Sequence, residues 1–167
     1  MNLCQKCKQE KELFSKKLCS SCLLIVLEKR IKKSVKEQGG LKREEKIRLL
    51  INDSVESKVT EYFLEKIYSN LKLKINIEND EYDKTILPFS SEKIIDAFLK
   101  TIFNNELFKQ KKQIIFLESL TMEELKDVAE IKKLNGTIKN YELLDKIEKD
   151  YPGSKHSLLK SIKILEN

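Results

Sequence analysis

All four cysteines of this 167-residue chain, Cys4, Cys7, Cys19 and Cys22, fall near its start as two C-x-x-C pairs eleven residues apart. Each pair offers two sulfurs from one tight turn, and two such turns complete a tetrahedron around a single ion. Four thiolates leave no open position for water or substrate, so the chemistry they point to is structural zinc rather than Lewis-acid catalysis. Disulfides are the competing use of four cysteines. The paired layout, in a chain whose N-terminus does not read as a signal peptide, favours the metal in a reducing, cytoplasmic setting. Zinc binding of this kind supplies folding free energy on the order of 10–16 kcal/mol, enough to order a segment with little core of its own.

Other reactive groups are scarce. The chain has no glycine-rich phosphate loop, no cysteine outside the cluster, and one histidine, His156, near its C-terminal end. A general base depends on a positioned partner, so a lone His156 reads as a solvated side chain. No run of eighteen apolar residues occurs, which argues against a membrane-spanning helix.

Charge is unevenly distributed. Residues 1–48 hold 14 Lys+Arg against 6 Asp+Glu, whereas the remainder holds 19 against 21. The excess gathers on the segment after the cysteines, where Lys29, Arg30, Lys32, Lys33 and Lys36 precede Lys42 and Arg43. Clustered Lys and Arg beside a zinc module are the pattern of a nucleic-acid surface, and these seven are the candidate contacts. Their competing use is a solvated helix face balanced by Glu28 and Glu37. Tyr62, Phe63, Phe98 and Phe103 fall on or beside apolar stripes and read as core or interface rather than as base-stacking platforms.

The elements that must hold these residues follow from periodicity. Leu24, Leu27, Ile31 and Val35 recur at helical spacing from Ser20, and Gly39-Gly40 ends that helix. KIRLLIN (46–52), LKINIE (73–78), TILPF (85–89) and QIIFLESL (113–120) read as strands. Between and after them come helical stripes: Val55, Val59, Phe63 and Ile67; Ile94, Ile95, Phe98, Leu99 and Ile102; and Ile138, Tyr141, Leu144 and Ile147. Thr121 with Glu124 forms a capping box that opens a further helix to about Leu134, and a last helix starts near Ser154. Strands alternating with helices predict an α/β fold: a small, mostly parallel sheet covered by helices. The predicted organisation is a Cys4 zinc module over 1–22, a basic linker helix over 23–44 and an α/β domain over 45–167. Ligands in such sheets sit where strands end and helices begin, here Asp53–Glu56 and Pro88–Glu92.

The zinc motif running into a basic helix (CSSCLLIVLEKRIKKSVKEQGGL), then a strand, turn and helix (KIRLLINDSVESKVTEYFLEKI), resembles the N-terminal part of the tRNA 2-thiolation proteins of the PP-loop ATPase superfamily. Active members carry S-G-G-x-D-S after that strand to bind the pyrophosphate of ATP. The matching stretch here is Asn52-Asp53-Ser54-Val55-Glu56-Ser57, which keeps the final serine and neither glycine. A backbone phosphate cradle needs residues that reach positive φ and admit close approach. Asp53 and Val55 bring a negative charge and a β-branched side chain instead, and Asp53 with Glu56 would repel a triphosphate. KTILPFSSEKIIDAFLKTIFNNE resembles the segment that carries G-H-N-x-x-D-D in active members, with Pro88–Lys93 standing where that signature would be. IIFLESLTMEELKDVAEIKKLNG and DKIEKDYPGSKHSLLKSIKIL resemble the segments that follow. The catalytic cysteines of active members have no counterpart. The chain is shorter than is usual for the family, with little sequence between LKINIE and TILPF.

A kept zinc motif and scaffold with erased chemistry is similar to the non-catalytic subunits of cytosolic tRNA 2-thiolation complexes. The resemblance implies a reduced PP-loop scaffold without enzymatic activity. It would bind tRNA and a catalytic PP-loop partner as a heterodimer, in support of 2-thiolation of the wobble uridine. Two alternatives stand beside it: an active tRNA sulfur transferase with an atypical phosphate loop, and an unrelated zinc-ribbon adaptor in transcription or translation.

Overall fold

The computed structural model describes residues 2–76, 81–103 and 113–165. A short antiparallel pair, β1 (Asn2–Leu3) and β2 (Glu10–Lys11), frames the first cysteine turn. A 3-10 turn over Ser15–Lys17 frames the second. Helix α1 runs Ser20–Glu37, and its stripe of Leu24, Leu27, Ile31 and Val35 is buried as the periodicity predicts. Gly39 and Gly40 then take φ of 94° and 66°, left-handed values that stop the helix and suit glycine.

The main sheet is four-stranded and wholly parallel, in the order β4–β3–β5–β6. Its strands are β3 (Lys46–Leu49), β4 (Lys74–Ile75), β5 (Lys84–Leu87) and β6 (Gln113–Ile115). Parallel neighbours need long crossovers. Helix α2 (Val55–Tyr68) follows β3, and α3 (Ser91–Phe103) follows β5. After β6 come α4 (Met122–Lys132), α5 (Glu142–Asp150) and α6 (Ser154–Leu165). Helix α2 packs on α1 and α4, and α6 packs on α3 and α5. The expected α/β class is thus the observed one. Among the described residues, no helix is long and apolar enough to cross a membrane.

Several predicted elements are shorter than their sequence patterns: KIRLLIN is a strand only over Lys46–Leu49, and TILPF only to Leu87. QIIFLESL is a strand only to Ile115. Phe116 donates its N–H to Leu87 (3.0 Å), and the neighbouring strand then meets Pro88, which has no N–H to continue the ladder. In LKINIE only Lys74–Ile75 pair as a strand. Asn76 leaves the strand at φ 50° and clamps Leu49 with its side-chain amide, accepting from its N–H (2.8 Å) and donating to its C=O (3.1 Å). Residues 77 and 78 lie outside the described residues, as do the side chains of Ile102 and Phe103. The stripe from Ile138 becomes helical only at Glu142, because the chain around Thr137 is paired elsewhere. Across all these elements the apolar core is continuous, from Cys4 and Leu18 through Ile47, Phe63 and Phe116 to Ile162.

Candidate functional site

The four cysteine sulfurs lie within 4.8 Å of one another and form a group that can hold a metal ion. Two knuckles deliver them. In the first, Lys8 donates its N–H to the Cys4 carbonyl (2.9 Å) and takes φ 59° to close the turn. In the second, Lys16 and Lys17 take φ 58° and 53°, and Gln5 donates to the Lys17 carbonyl (3.0 Å), tying the knuckles together. Cys19 caps α1 and Cys22 lies in its first turn, so the positive end of the helix faces two of the ligands.

Cys4, Cys19 and Cys22 are buried, and Cys7 is exposed. N–H groups of Cys7 and Cys19 bring the Cys4 thiol down to about 6, the Cys19 N–H standing 3.3 Å from its sulfur. Burial, with the neighbouring thiols, pushes Cys22 up to about 12. Four converging thiols of this kind must shed protons to bind a cation together. The Cys7 and Cys19 sulfurs are 3.8 Å apart, the edge of a tetrahedron with metal–sulfur bonds of roughly 2.3 Å. A four-iron cluster binds each thiolate to a different iron and holds the sulfurs further apart.

The cysteine loops are docked on the rest of the chain by α4. Ser15 donates its N–H (2.7 Å) and its hydroxyl to Asp127. Lys16 pairs with Glu124 (2.7 Å), which is 1% exposed and also holds Arg30 of α1. Burial opposes the Glu124 charge, but Arg30 and Lys16 outweigh it and keep the carboxyl below its usual value. Glu124 further completes the capping box with Thr121 that the sequence predicts.

The basic candidates divide accordingly. Arg30 points inward, its guanidinium bridging Glu124 and the Ser119 carbonyl. Lys29, Lys32, Lys33 and Lys36, at helical spacing, form an exposed stripe opposite the buried face of α1. Lys32 pairs with Glu28 (2.7 Å) and Lys33 with Glu37 (3.8 Å), whereas Lys29 and Lys36 carry no ion pair among the described residues. Lys42 and Arg43 are exposed in the loop beyond Gly40, Arg43 lying 3.5 Å from Glu44. Lys155, by contrast, is consumed by Glu92 (3.1 Å) and Asp145 (2.6 Å).

The two strand ends singled out by the sequence adjoin each other. The chain leaves β3 for β4 on one side, and β5 lies on the other, so the crevice of the sheet opens beyond β3 and β5. Around it four backbone donors are already engaged. Asn52 N–H donates to the Ser57 hydroxyl (3.0 Å), Ser54 N–H to the Asn52 side chain (3.1 Å), and Ser57 N–H to the Ser54 hydroxyl (3.3 Å). Val55 N–H donates to the Thr137 carbonyl (3.0 Å), and Thr137 returns its N–H (2.7 Å) and hydroxyl (2.6 Å) to the Asp53 carbonyl.

Gly136 lies so close that a Cβ there would stand 2.8 Å from the Ser54 carbonyl carbon and from the Val55 nitrogen. Beyond it Tyr141 is buried with its hydroxyl unpartnered among the described residues. Burial, and then the charges of Glu56, Asp96 and Glu92, push that phenol well above its ordinary value. On the far side of Tyr141 an open cleft of about 360 Å³ is lined by Arg30, Glu92, Ser119, Tyr141, Lys155 and His156. His156 is exposed there. The 136–141 segment carries no motif, and the Asn135-Gly136 pair signals only the end of a helix.

No family model matches the chain, and no curated protein matches it in sequence. Among solved structures its fold is similar to that of the U34-tRNA thiolase NcsA from Methanococcus maripaludis with its 4Fe-4S cluster. The TM-score is 0.76 at 14% identity, over 98% of this chain and 88% of the other. At that identity the likeness establishes the fold.

Proposed function

We propose that this chain is a zinc-bound, non-catalytic scaffold that supports 2-thiolation of the wobble uridine of tRNA, docking tRNA and a catalytic PP-loop partner. The thiolase-like fold supports the pathway, and the filled loop after β3 carries the non-catalytic assignment. A phosphate cradle works by aiming free N–H groups at the anion. Here those of Asn52, Ser54, Val55 and Ser57 are satisfied by the chain itself, and Gly136–Thr137 sits against the loop.

Cys4, Cys7, Cys19 and Cys22 would hold zinc, which supplies folding free energy rather than reactivity. Lys29, Lys32, Lys33, Lys36, Lys42 and Arg43 would neutralise tRNA phosphates and release counterions, while Arg30 anchors the helix that presents them. The partner would supply both the nucleotide chemistry and the sulfur.

One observation favours catalysis as a second reading: the structural neighbour is itself a thiolase with a 4Fe-4S cluster. In this chain, however, all four cysteines converge on one group, which leaves no thiol outside it for sulfur transfer. Calorimetric titration of the metal-loaded chain with ATP and magnesium separates the readings. The scaffold gives no binding, whereas micromolar affinity, or AMP formed by the purified chain alone, overturns it.

A further inference from the structure

The ion pairs of Glu28 lead from α1 to a second basic region. Its carboxylate takes Lys32 on one oxygen (2.7 Å) and Lys66 of α2 on the other (3.1 Å). Lys66 also stands over the Tyr62 ring, 5.9 Å from its centroid, and Lys132 at the end of α4 stands 5.1 Å from the same centroid. Exposed lysines of three helices therefore converge, and the ammonium groups of Lys66 and Lys132 can be no more than about 11 Å apart. Among the described residues, Glu28 is the only carboxylate within ion-pair distance of the three, so the cluster keeps a net positive charge. Tyr62 is half-buried and braced edge-on by Phe63, with ring centroids 5.0 Å apart.

The choice of an aromatic anchor has a physical consequence. A carboxylate at that point would hold the lysines but cancel their charge. A ring quadrupole attracts an ammonium group without neutralising it, which leaves the charge available to an outside anion. Phosphates recur at every nucleotide of a strand, so a cluster of this width meets more than one of them.

We propose that Lys66 and Lys132, arranged around Tyr62, and Lys32, joined to Lys66 through Glu28, form an RNA-backbone clamp that carries the α1 stripe across α2 onto α4. The three ammonium groups take phosphate oxygens, and Tyr62 is a positioning residue that acts through two of them. The assignment rests on the proposed RNA-binding role of α1 and extends it to two helices. Continuity with Lys29 and Lys36, which carry no ion pair among the described residues, favours RNA over an acidic protein segment.

The test is fluorescence anisotropy with labelled tRNA and the metal-loaded full chain across a salt series, with circular dichroism confirming that each variant is folded. Lys66→Gln with Lys132→Gln weakens binding and lowers the salt slope by about 1.4–1.8, since each lost phosphate contact removes about 0.7–0.9. Tyr62→Leu weakens binding about two- to fivefold with the slope unchanged, and Tyr62→Phe binds like the parent. If the double lysine variant keeps the parent slope while Lys29→Gln, Lys33→Gln and Lys36→Gln together reduce it, α1 binds RNA and the clamp is overturned. If the parent chain does not bind tRNA, both assignments fall. Competition by polyglutamate as effective as that by RNA of equal charge would reassign the surface to an acidic protein and overturn the clamp.

Discussion

The cysteine cluster and the crevice beyond β3 are both places where polar groups converge, and they have been completed in opposite ways. In the cluster, the knuckles and the first turn of α1 bring four thiols within 4.8 Å of one another, a group that an ion from outside can complete. In the crevice, Thr137 and the side chains of Asn52, Ser54 and Ser57 answer four of the loop's backbone donors from within, and those four need no ligand. Convergence alone therefore does not identify a working site. The test is whether the converging groups remain available once the chain has satisfied its own hydrogen bonds.

The sharpest way to break this contrast is to remove the metal. The ligands Cys4, Cys19 and Cys22 belong to the same continuous core as the sheet. A structural zinc contributes on the order of 10–16 kcal/mol, as large as the whole stability of a domain this size. Chelation or Cys19→Ser should lower the melting temperature of the entire chain in one transition, followed by circular dichroism. Elemental analysis should fall from one zinc per chain to none. An unchanged melting temperature, or one iron-sulfur chromophore in place of zinc, would break the comparison.

A smaller effect is expected at Glu124, which joins the cysteine loop to α1 and α4. Glu124→Ala removes the charged hydrogen bonds to Arg30 and Lys16 and the cap of α4, and should cost about 2–4 kcal/mol in urea unfolding. The sign with pH follows from its lowered pKa. The carboxylate contributes fully above its ordinary value of 4.5 and loses that contribution as pH falls through the lower folded-state value. Glu124→Gln should accordingly flatten the acid limb of the stability curve. A limb of unchanged steepness would assign acid sensitivity to other carboxylates.

Smallest is the substitution that probes the filled crevice. Gly136→Ala forces its new methyl against the backbone of Ser54 and Val55 and should destabilise by about 1–3 kcal/mol, read by thermal unfolding. A neutral result would mean that the 136–137 segment moves aside easily, and the crevice would then have to be regarded as one that can open.

What could be read before the structure was whatever depends on near neighbours in sequence. The paired cysteines, the buried stripe of α1 and the Thr121–Glu124 box each span a turn or two of chain, where spacing and residue type suffice. The strand ends Asp53–Glu56 and Pro88–Glu92 could also be placed, because the alternation of strands and helices already implies the crevice. The misses are long-range. Arg30 looked like one basic residue among seven, and only the approach of Glu124, 94 positions away, turns it inward. The pairing of Ser54 with Thr137 crosses more than eighty residues and leaves one local mark, a glycine that serves equally well as a helix stop. The early end of β6 is set by a proline just past the end of β5. None of these is encoded in a window of ten residues.

Gln38, just past the end of α1, bears on how the protein can assemble. Its amide accepts from the Ile115 N–H (2.7 Å) and donates to the Ile115 carbonyl (3.1 Å), taking the role of a neighbouring strand along the outer edge of β6. A second protein cannot extend the sheet there without first displacing that side chain, which is itself held by Ser34 and Glu118. One border of the sheet is thereby closed to growth. Any partner that meets this border must recognise side chains and not the backbone ladder that any extended peptide could supply.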